Sequence, residues 1–151
     1  MTTATVRKAD DPVRSRWLFD AAVLYTVAWA LHTGDHLRRG LDVVTPEVAV
    51  IGTVAAVLQL LAVSFVFLRR PYAPIVAAAV GIPDAIGIAA VHLLPHWSAF
   101  SDAFPGAHGT GVDALSWFAA SFEIVGALAF GIAGVVAMRE RARDVVLTTR
   151  P

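Results

Sequence analysis

The sequence lacks cysteine entirely, which excludes disulfides, thiolate metal ligands and a cysteine nucleophile. Charge is scarce: Asp, Glu, Lys and Arg make up 16% of the 151 residues, and twelve basic residues balance twelve acidic ones. This balance gives no compositional support for a basic nucleic-acid-binding surface. What is abundant is apolar, since 57% of the residues are hydrophobic and the mean hydropathy is +0.66. The composition predicts an integral membrane protein.

Hydrolase signatures are also missing. Ser98, Ser101, Ser116 and Ser121 occur without a nucleophile elbow, and the sequence has neither a phosphate-cradling glycine loop nor an HExxH motif. A hydrolase is therefore the least favoured class. If the protein is an enzyme, a membrane-bound metal- or haem-dependent oxidoreductase is the class that its other residues favour.

Four long stretches carry almost no charge and use up most of the chain. They cover residues 17–34, 48–68, 72–97 and 114–138. Each approaches or exceeds the ~20 apolar residues that cross a ~30 Å hydrocarbon core. The sequence therefore predicts an all-α, four-transmembrane-helix bundle that forms a single membrane domain over residues 1–151. The predicted helices span about 16–36, 47–68, 72–96 and 113–138, with polar tails over 1–15 and 139–151.

The basic residues predict the orientation of these helices. One side of the predicted membrane holds Arg7, Lys8, Arg14, Arg16, Arg69, Arg70, Arg139, Arg141, Arg143 and Arg150. The other side holds only Arg38 and Arg39. The positive-inside rule then places both termini in the cytoplasm of a cell-membrane protein, with loops 35–47 and 98–113 outside.

The loop between predicted helices 3 and 4 contains aromatic residues at helical spacing. Trp97, Phe100 and Phe104 alternate with polar residues, which predicts a short interfacial helix. Pro105 and Gly106 would end it, and Asp113 is in position to cap helix 4.

Small residues recur at four-residue steps in the last two predicted helices, where they allow close helix contact. The helix 3 row is Ala77, Gly81, Ala85 and Ala89, and the helix 4 row is Ala119, Glu123, Ala127 and Gly131. Two such faces exceed the needs of a minimal bundle, so a homodimer or docking onto a larger membrane complex is a further expectation.

One polar residue of each predicted helix falls near the bilayer centre, and these residues are Thr26, Gln59, Asp84 and Glu123. Interhelical hydrogen bonding explains Thr26 and Gln59. Two intramembrane carboxyl groups are costly and usually mark an ion, proton or ligand path. Asp84 and Glu123, together with Gln59, are therefore predicted to form a buried acidic pair and a proton or cation path.

All five histidines lie on the predicted outer side, and four form two i,i+4 pairs. His32 and His36 end helix 1, and His92 and His96 end helix 3, so both pairs reach one membrane depth. Imidazole and carboxylate ligands suit zinc, copper or iron. The predicted ligands are therefore these four histidines and Asp35. Tyr25 and Trp29 share the helix face of His32 and are predicted to face the ligand, and Asp102, His108 and Asp113 are loop residues that could add a ligand or an orienting contact.

Other functions compete with this metal site. His32 and His92 could instead ligate a b-type haem in the bundle core for electron transfer. The histidines could handle protons without a metal, or serve as capping and interfacial residues. A non-catalytic accessory subunit or assembly factor of a larger membrane complex needs none of this chemistry. The sequence alone leaves these alternatives open.

Overall fold

The structure, a computed structural model, describes residues 16–148, and the polar segment 1–15 and residues 149–151 lie outside the described residues. Four long helices follow one another in the described part: α1 (Arg16–Arg39), α2 (Pro46–Phe67), α3 (Ala73–His92) and α4 (Ala114–Thr148). A single 3-10 turn (Leu41–Val43) lies between α1 and α2, and no strand occurs within residues 16–148. The predicted all-α class is therefore confirmed.

Three of the four helices are long and apolar enough to cross a membrane. They are α2, α3 and the segment Ala114–Asp144 of α4. The α1 helix is not among the three, because Asp20 interrupts its run of apolar residues and its last turns contain Asp35, Arg38 and Arg39. The chain thus has the character of a membrane protein, whereas the fourth span and the orientation of the bundle stay predictions.

Local sequence signals set where α2 and α4 begin. Thr45 precedes α2, and its side-chain oxygen accepts a hydrogen bond from the Val48 amide at 3.2 Å. Asp113 precedes α4, and its Oδ1 atom accepts from the amides of Leu115 and Ser116 at 2.9 and 3.2 Å. These contacts satisfy amide groups that have no partner in the first turn of a helix. Asp113 therefore acts as the predicted cap.

The α3 helix ends earlier than predicted. Its last residue is His92, whereas the sequence predicts a helix as far as residue 96. Pro95 disfavours helical geometry at Leu94, which explains the early end. In contrast, α4 continues to Thr148, ten residues past the predicted end at 138, because the charged segment after Met138 keeps helical geometry.

The segment after α3 is used as a cap rather than as a helix. Residues 97–104 form turns and irregular backbone, so the predicted interfacial helix is not confirmed. The amide of Asp102 donates to the Val91 carbonyl at 3.1 Å, and the amide of Phe104 donates to the His92 carbonyl at 2.9 Å. These bonds satisfy carbonyl groups that the end of α3 leaves unpaired. They also fold the loop back over His92.

The α4 helix packs closely against α3 and α1 through the predicted small residues. A Cβ atom added at Gly81 would lie 2.6 Å from the carbonyl oxygen of Ala127 and 2.8 Å from the amide nitrogen of Gly131. Gly126 approaches the backbone of Tyr25 in the same way, with 3.2 Å between the added Cβ and the Tyr25 Cα. Small residues let membrane helices touch along their backbones. This packing fixes the relative rotation of α1, α3 and α4.

Candidate metal centre

Three histidines from two helices meet at one end of the helix assembly. His32 and His36 stand one turn apart on α1, and His92 is the last residue of α3. Each can offer a ring nitrogen, and these three atoms lie within 4.8 Å of one another. His32 and His92 are buried, and His36 is partly exposed. This triad of His32, His36 and His92 could hold a metal ion.

His32 is held from the far side by α4. Its Nδ1 atom is hydrogen-bonded to the Oε2 atom of Glu123, and both side chains are buried. The other ring nitrogen, Nε2, is buried and has no hydrogen-bond partner among the described residues. Burying a polar atom without a partner is costly, so such an atom calls for an explanation. A metal ion bound at Nε2 would supply one.

His92 is oriented by the loop that follows α3. Its Nδ1 atom lies 3.1 Å from the backbone carbonyl oxygen of Asp102, to which it can only donate, so its Nε2 atom keeps the lone pair. The ring of Phe104 contacts the imidazole with 4.7 Å between centroids. His92 therefore has a fixed tautomer and a fixed ring position, as metal-ligating histidines have when a neighbouring group accepts their second N–H.

A buried ion pair lies beside the triad. Arg39 donates a hydrogen bond to the Asp102 carboxylate, and neither side chain is more than 6% exposed. Arg39 also donates to His36 Nδ1 at 3.2 Å and lies over the Phe104 ring. This nitrogen therefore carries the lone pair of His36, and a metal ion bound there would take the place of the Arg39 contact. The Asp102 Oδ2 atom is 3.5 Å from His92 Nδ1. Asp102 is thus the loop carboxylate nearest the triad.

The other predicted ligands lie elsewhere. His96 follows the end of α3 and is exposed, as is His108. Asp35 faces Arg38, whose Nη2 and Nε atoms donate to its Oδ1 atom at 2.7 and 3.0 Å. Asp113, besides capping α4, forms an ion pair with Arg38 at 3.2 Å. The structure therefore brings together three of the five predicted ligands and places Asp35 in an ionic cluster beside them.

The ionic cluster shifts the protonation of Asp35, which lies beyond the apolar segment 17–34. Burial alone would raise the pKa of Asp35, but the hydrogen bond from Arg38 and the positive charges of Arg38 and Arg39 outweigh it, so its pKa lies below the usual value. Asp35 is therefore an ionised partner of these arginines.

Three of the four predicted midplane residues form a connected polar network with Tyr25; they are Gln59, Asp84 and Glu123. The Tyr25 hydroxyl donates to Asp84 Oδ2 at 2.6 Å, and Gln59 Nε2 donates to the same oxygen at 2.8 Å and to Glu123 Oε1 at 3.2 Å. Glu123 in turn contacts His32. A chain of hydrogen bonds thus runs from Tyr25 to the triad.

Two residues of the predicted set stand outside this network. The Thr26 hydroxyl donates to the Ala22 carbonyl within α1 at 2.7 Å. Trp29 is half-buried and lines a small cavity together with Tyr25 and Gln59. Thr26 therefore satisfies its hydroxyl within its own helix.

Arg39 contacts the candidate site and was not among the residues predicted for it. In the sequence, Arg39 served only as one of the two basic residues on the predicted outer side of the membrane. Because α1 continues to Arg39, this residue stands one turn after Asp35 and His36 and reaches both. Its i+3 spacing from His36 is a signal that the sequence does contain.

Comparison with known proteins adds no further assignment, since the chain matches no protein-family model, no curated protein and no solved structure. The triad and its surroundings are therefore interpreted from their geometry and chemistry.

Proposed function

We propose that this protein binds a divalent transition-metal ion through His32, His36 and His92. Two observations carry the proposal: each of the three imidazoles offers a ring nitrogen within 4.8 Å of the other two, and the Nε2 atom of His32 is buried and lacks a partner among the described residues. Three convergent nitrogen atoms suit zinc, copper or iron. The absence of cysteine disfavours a soft copper(I) site.

Three protein nitrogens leave a coordination position open. Structural zinc sites usually have four protein ligands, whereas sites with three keep a place for water or substrate. Asp102 lies beside the triad, with its Oδ2 atom 3.5 Å from His92 Nδ1, and its pairing with Arg39 holds it there. The donor set therefore suits an exchangeable ion or a reactive one better than a closed structural site.

The carboxylates of Asp84, which is half-buried, and of Glu123, which is buried, support a second part of the proposal, a path for protons or cations that leads to the metal. Asp84 and Glu123 are linked by Gln59, and Glu123 touches His32. Ionisable groups inside a membrane usually mark such paths. Tyr25 is the last residue of this hydrogen-bonded network on the side away from the triad, and its hydroxyl donates to Asp84.

A haem bound between His32 and His92 is the alternative cofactor. The two rings have centroids 4.8 Å apart and meet edge to face. A porphyrin between them would have to force the rings and their helices apart. The geometry therefore favours a single ion, and a haem-loaded preparation with a Soret band would reverse this conclusion.

The location follows from the same proposal. We place the protein in the cell membrane as a multi-pass protein with both termini cytoplasmic, and its first partner is the lipid bilayer. The proposal includes a homodimer or a larger membrane complex as the assembled state. Because the chain has no cysteine, single cysteines introduced at Arg38 and Arg70 would report the topology by labelling with an impermeant reagent. Labelling of the Arg70 position alone from outside would overturn this orientation.

Metal analysis tests the central claim. The purified protein in detergent micelles is loaded with zinc, dialysed and measured by elemental analysis and by isothermal titration calorimetry. We expect one zinc ion per chain in the wild type and loss of binding in His32→Ala and His92→Ala. His96→Ala and His108→Ala are matched controls that should bind as the wild type does. Substoichiometric zinc, copper and iron in the wild type, or unchanged binding in both triad variants, would refute the proposal.

A further inference from the structure

Glu123 reaches from α4 to the triad, where its side chain forms a polar contact with His32. Its carboxylate is buried and divides its two oxygens between two partners. Oε2 contacts Nδ1 of His32, and Oε1 accepts from Gln59 Nε2 at 3.2 Å. The sequence predicts only a proton or cation path for Glu123. Its contact with His32 shows that it also belongs to the metal centre.

The chemistry of imidazole gives this contact a specific consequence. A neutral histidine carries one N–H and one lone pair, and only the nitrogen with the lone pair can bind a metal. A carboxylate accepts hydrogen bonds and does not donate them. Glu123 therefore holds the proton of His32 on Nδ1 and leaves the lone pair on Nε2. That is the nitrogen which is buried without a partner.

The geometry points to Glu123 as the positioning residue of the metal centre, and this inference rests on the proposed function. The carboxylate fixes the tautomer and ring orientation of His32, makes the Nε2 lone pair a stronger metal ligand, and places one negative charge behind the site. Metal-ligating histidines commonly donate their second N–H to a carboxylate in this way. His92 has a parallel arrangement, but its acceptor is the neutral carbonyl of Asp102. Glu123 thus supplies a hydrogen-bonded carboxylate behind His32, whereas the Asp102 carboxylate lies 3.5 Å from His92 Nδ1.

This assignment also explains why an acidic residue interrupts the small-residue row of α4. Ala119 and Ala127, one turn to either side of Glu123, are fully buried, and so is the close backbone contact between α4 and α3. A side chain at position 123 must therefore point into the assembly. From there it reaches the α1 histidine across the interface, 91 positions away in the sequence.

Two substitutions separate the parts of the proposed role. Glu123→Leu removes both the hydrogen-bond acceptor and the charge, whereas Glu123→Gln keeps an acceptor oxygen and removes the charge. Glu140→Leu is the matched control, because it removes a glutamate that is exposed on the same helix. Zinc affinity is measured by calorimetry on each full-length variant in micelles. The tautomer of His32 is measured by ¹⁵N NMR on the same proteins without metal.

We expect Glu123→Leu to bind zinc about 10–100-fold more weakly than the wild type, the usual effect of losing such a partner. The zinc affinity of Glu123→Gln should lie between those of Glu123→Leu and the wild type, and the affinity of Glu140→Leu should match that of the wild type. The NMR spectrum should show His32 protonated at Nδ1 in the wild type and a mixture of tautomers in Glu123→Leu. If Glu123→Leu fails to fold, the affinity and tautomer of Glu123→Gln decide the question.

The outcomes separate this inference from the proposed function. A wild type that binds no zinc refutes the proposed function and with it this role. If the wild type binds zinc and both Glu123 variants bind it as tightly as the wild type does, the role of Glu123 is refuted and the proposed metal site is not. A wild-type His32 protonated at Nε2 would also overturn the inference.

Discussion

Replacing Gly81 by alanine tests the helix contact that places His92 next to the α1 histidines. Gly81 faces α4, and an added methyl group would lie 2.6 Å from the Ala127 carbonyl oxygen and 2.8 Å from the Gly131 nitrogen. Both are backbone atoms, which cannot rotate away as a side chain can. The methyl group therefore has room only if α3 and α4 move apart along their closest contact.

The size of the effect follows from a comparison within the same helix. Gly87 also lies in α3, but an added Cβ there meets nothing within 4 Å. Both substitutions gain the same helix propensity, up to about 1 kcal/mol. Only Gly81→Ala carries the cost of overpacking, typically about 1–3 kcal/mol. We therefore expect Gly81→Ala to be less stable than Gly87→Ala by about 1–3 kcal/mol.

The assay is reversible unfolding in mixed micelles with increasing SDS, followed by far-UV circular dichroism. Zinc affinity measured in parallel should fall in Gly81→Ala, because α3 carries His92 and Asp84 while α4 carries Glu123. Equal stability of the two alanine variants would show that α3 and α4 do not meet at Gly81. In that case the placement of the triad would lose its support.

Two further predictions concern the ionic groups beside the triad. Asp102→Ala leaves the buried charge of Arg39 without its closest carboxylate and should lower the free energy of unfolding by about 3–5 kcal/mol. Adding Arg39→Met to this variant should restore most of the lost stability. Equal stability of the single and double variants would contradict the pairing of Arg39 with Asp102. For Asp35, whose pKa is lowered in the folded state, the stabilisation is present above the unfolded pKa and is lost as the pH falls through the folded one. Thermal unfolding between pH 6 and 3 should therefore show a smaller loss of stability on acidification in Asp35→Asn than in the wild type, and parallel curves would refute the pairing with Arg38.

Much of the helical framework could be predicted from local signals. The apolar stretches predict four long helices, and the cap at Asp113 begins α4 as expected. The structure ends α3 at His92 rather than at residue 96, because Pro95 disfavours helical geometry at Leu94, and His96 therefore lies outside the helix. The interfacial helix over 97–104 is not confirmed, because the backbone of this segment bonds to the end of α3 instead. A periodic pattern cannot reveal such a competing use of backbone amides.

Some features of the candidate site could likewise be predicted from local sequence, and others could not. His32 and His36 share one face of α1 because of the 3.6-residue helical period, so the sequence by itself determined that pair. It also predicted that two carboxyl groups would lie within apolar helices, and in the structure Glu123 is buried and Asp84 is half-buried. These features depend on residues close together in the chain and on the backbone hydrogen bonds of a single helix.

Only the tertiary structure decided which distant residues meet. His92 joins the α1 pair while His96 does not, Glu123 reaches His32, and Asp35 turns to Arg38. These pairings depend on the order and rotation of the helices. Both are set by where Gly81, Gly126 and Gly131 allow backbones to touch, a property of surfaces in three dimensions that no periodicity along the chain contains.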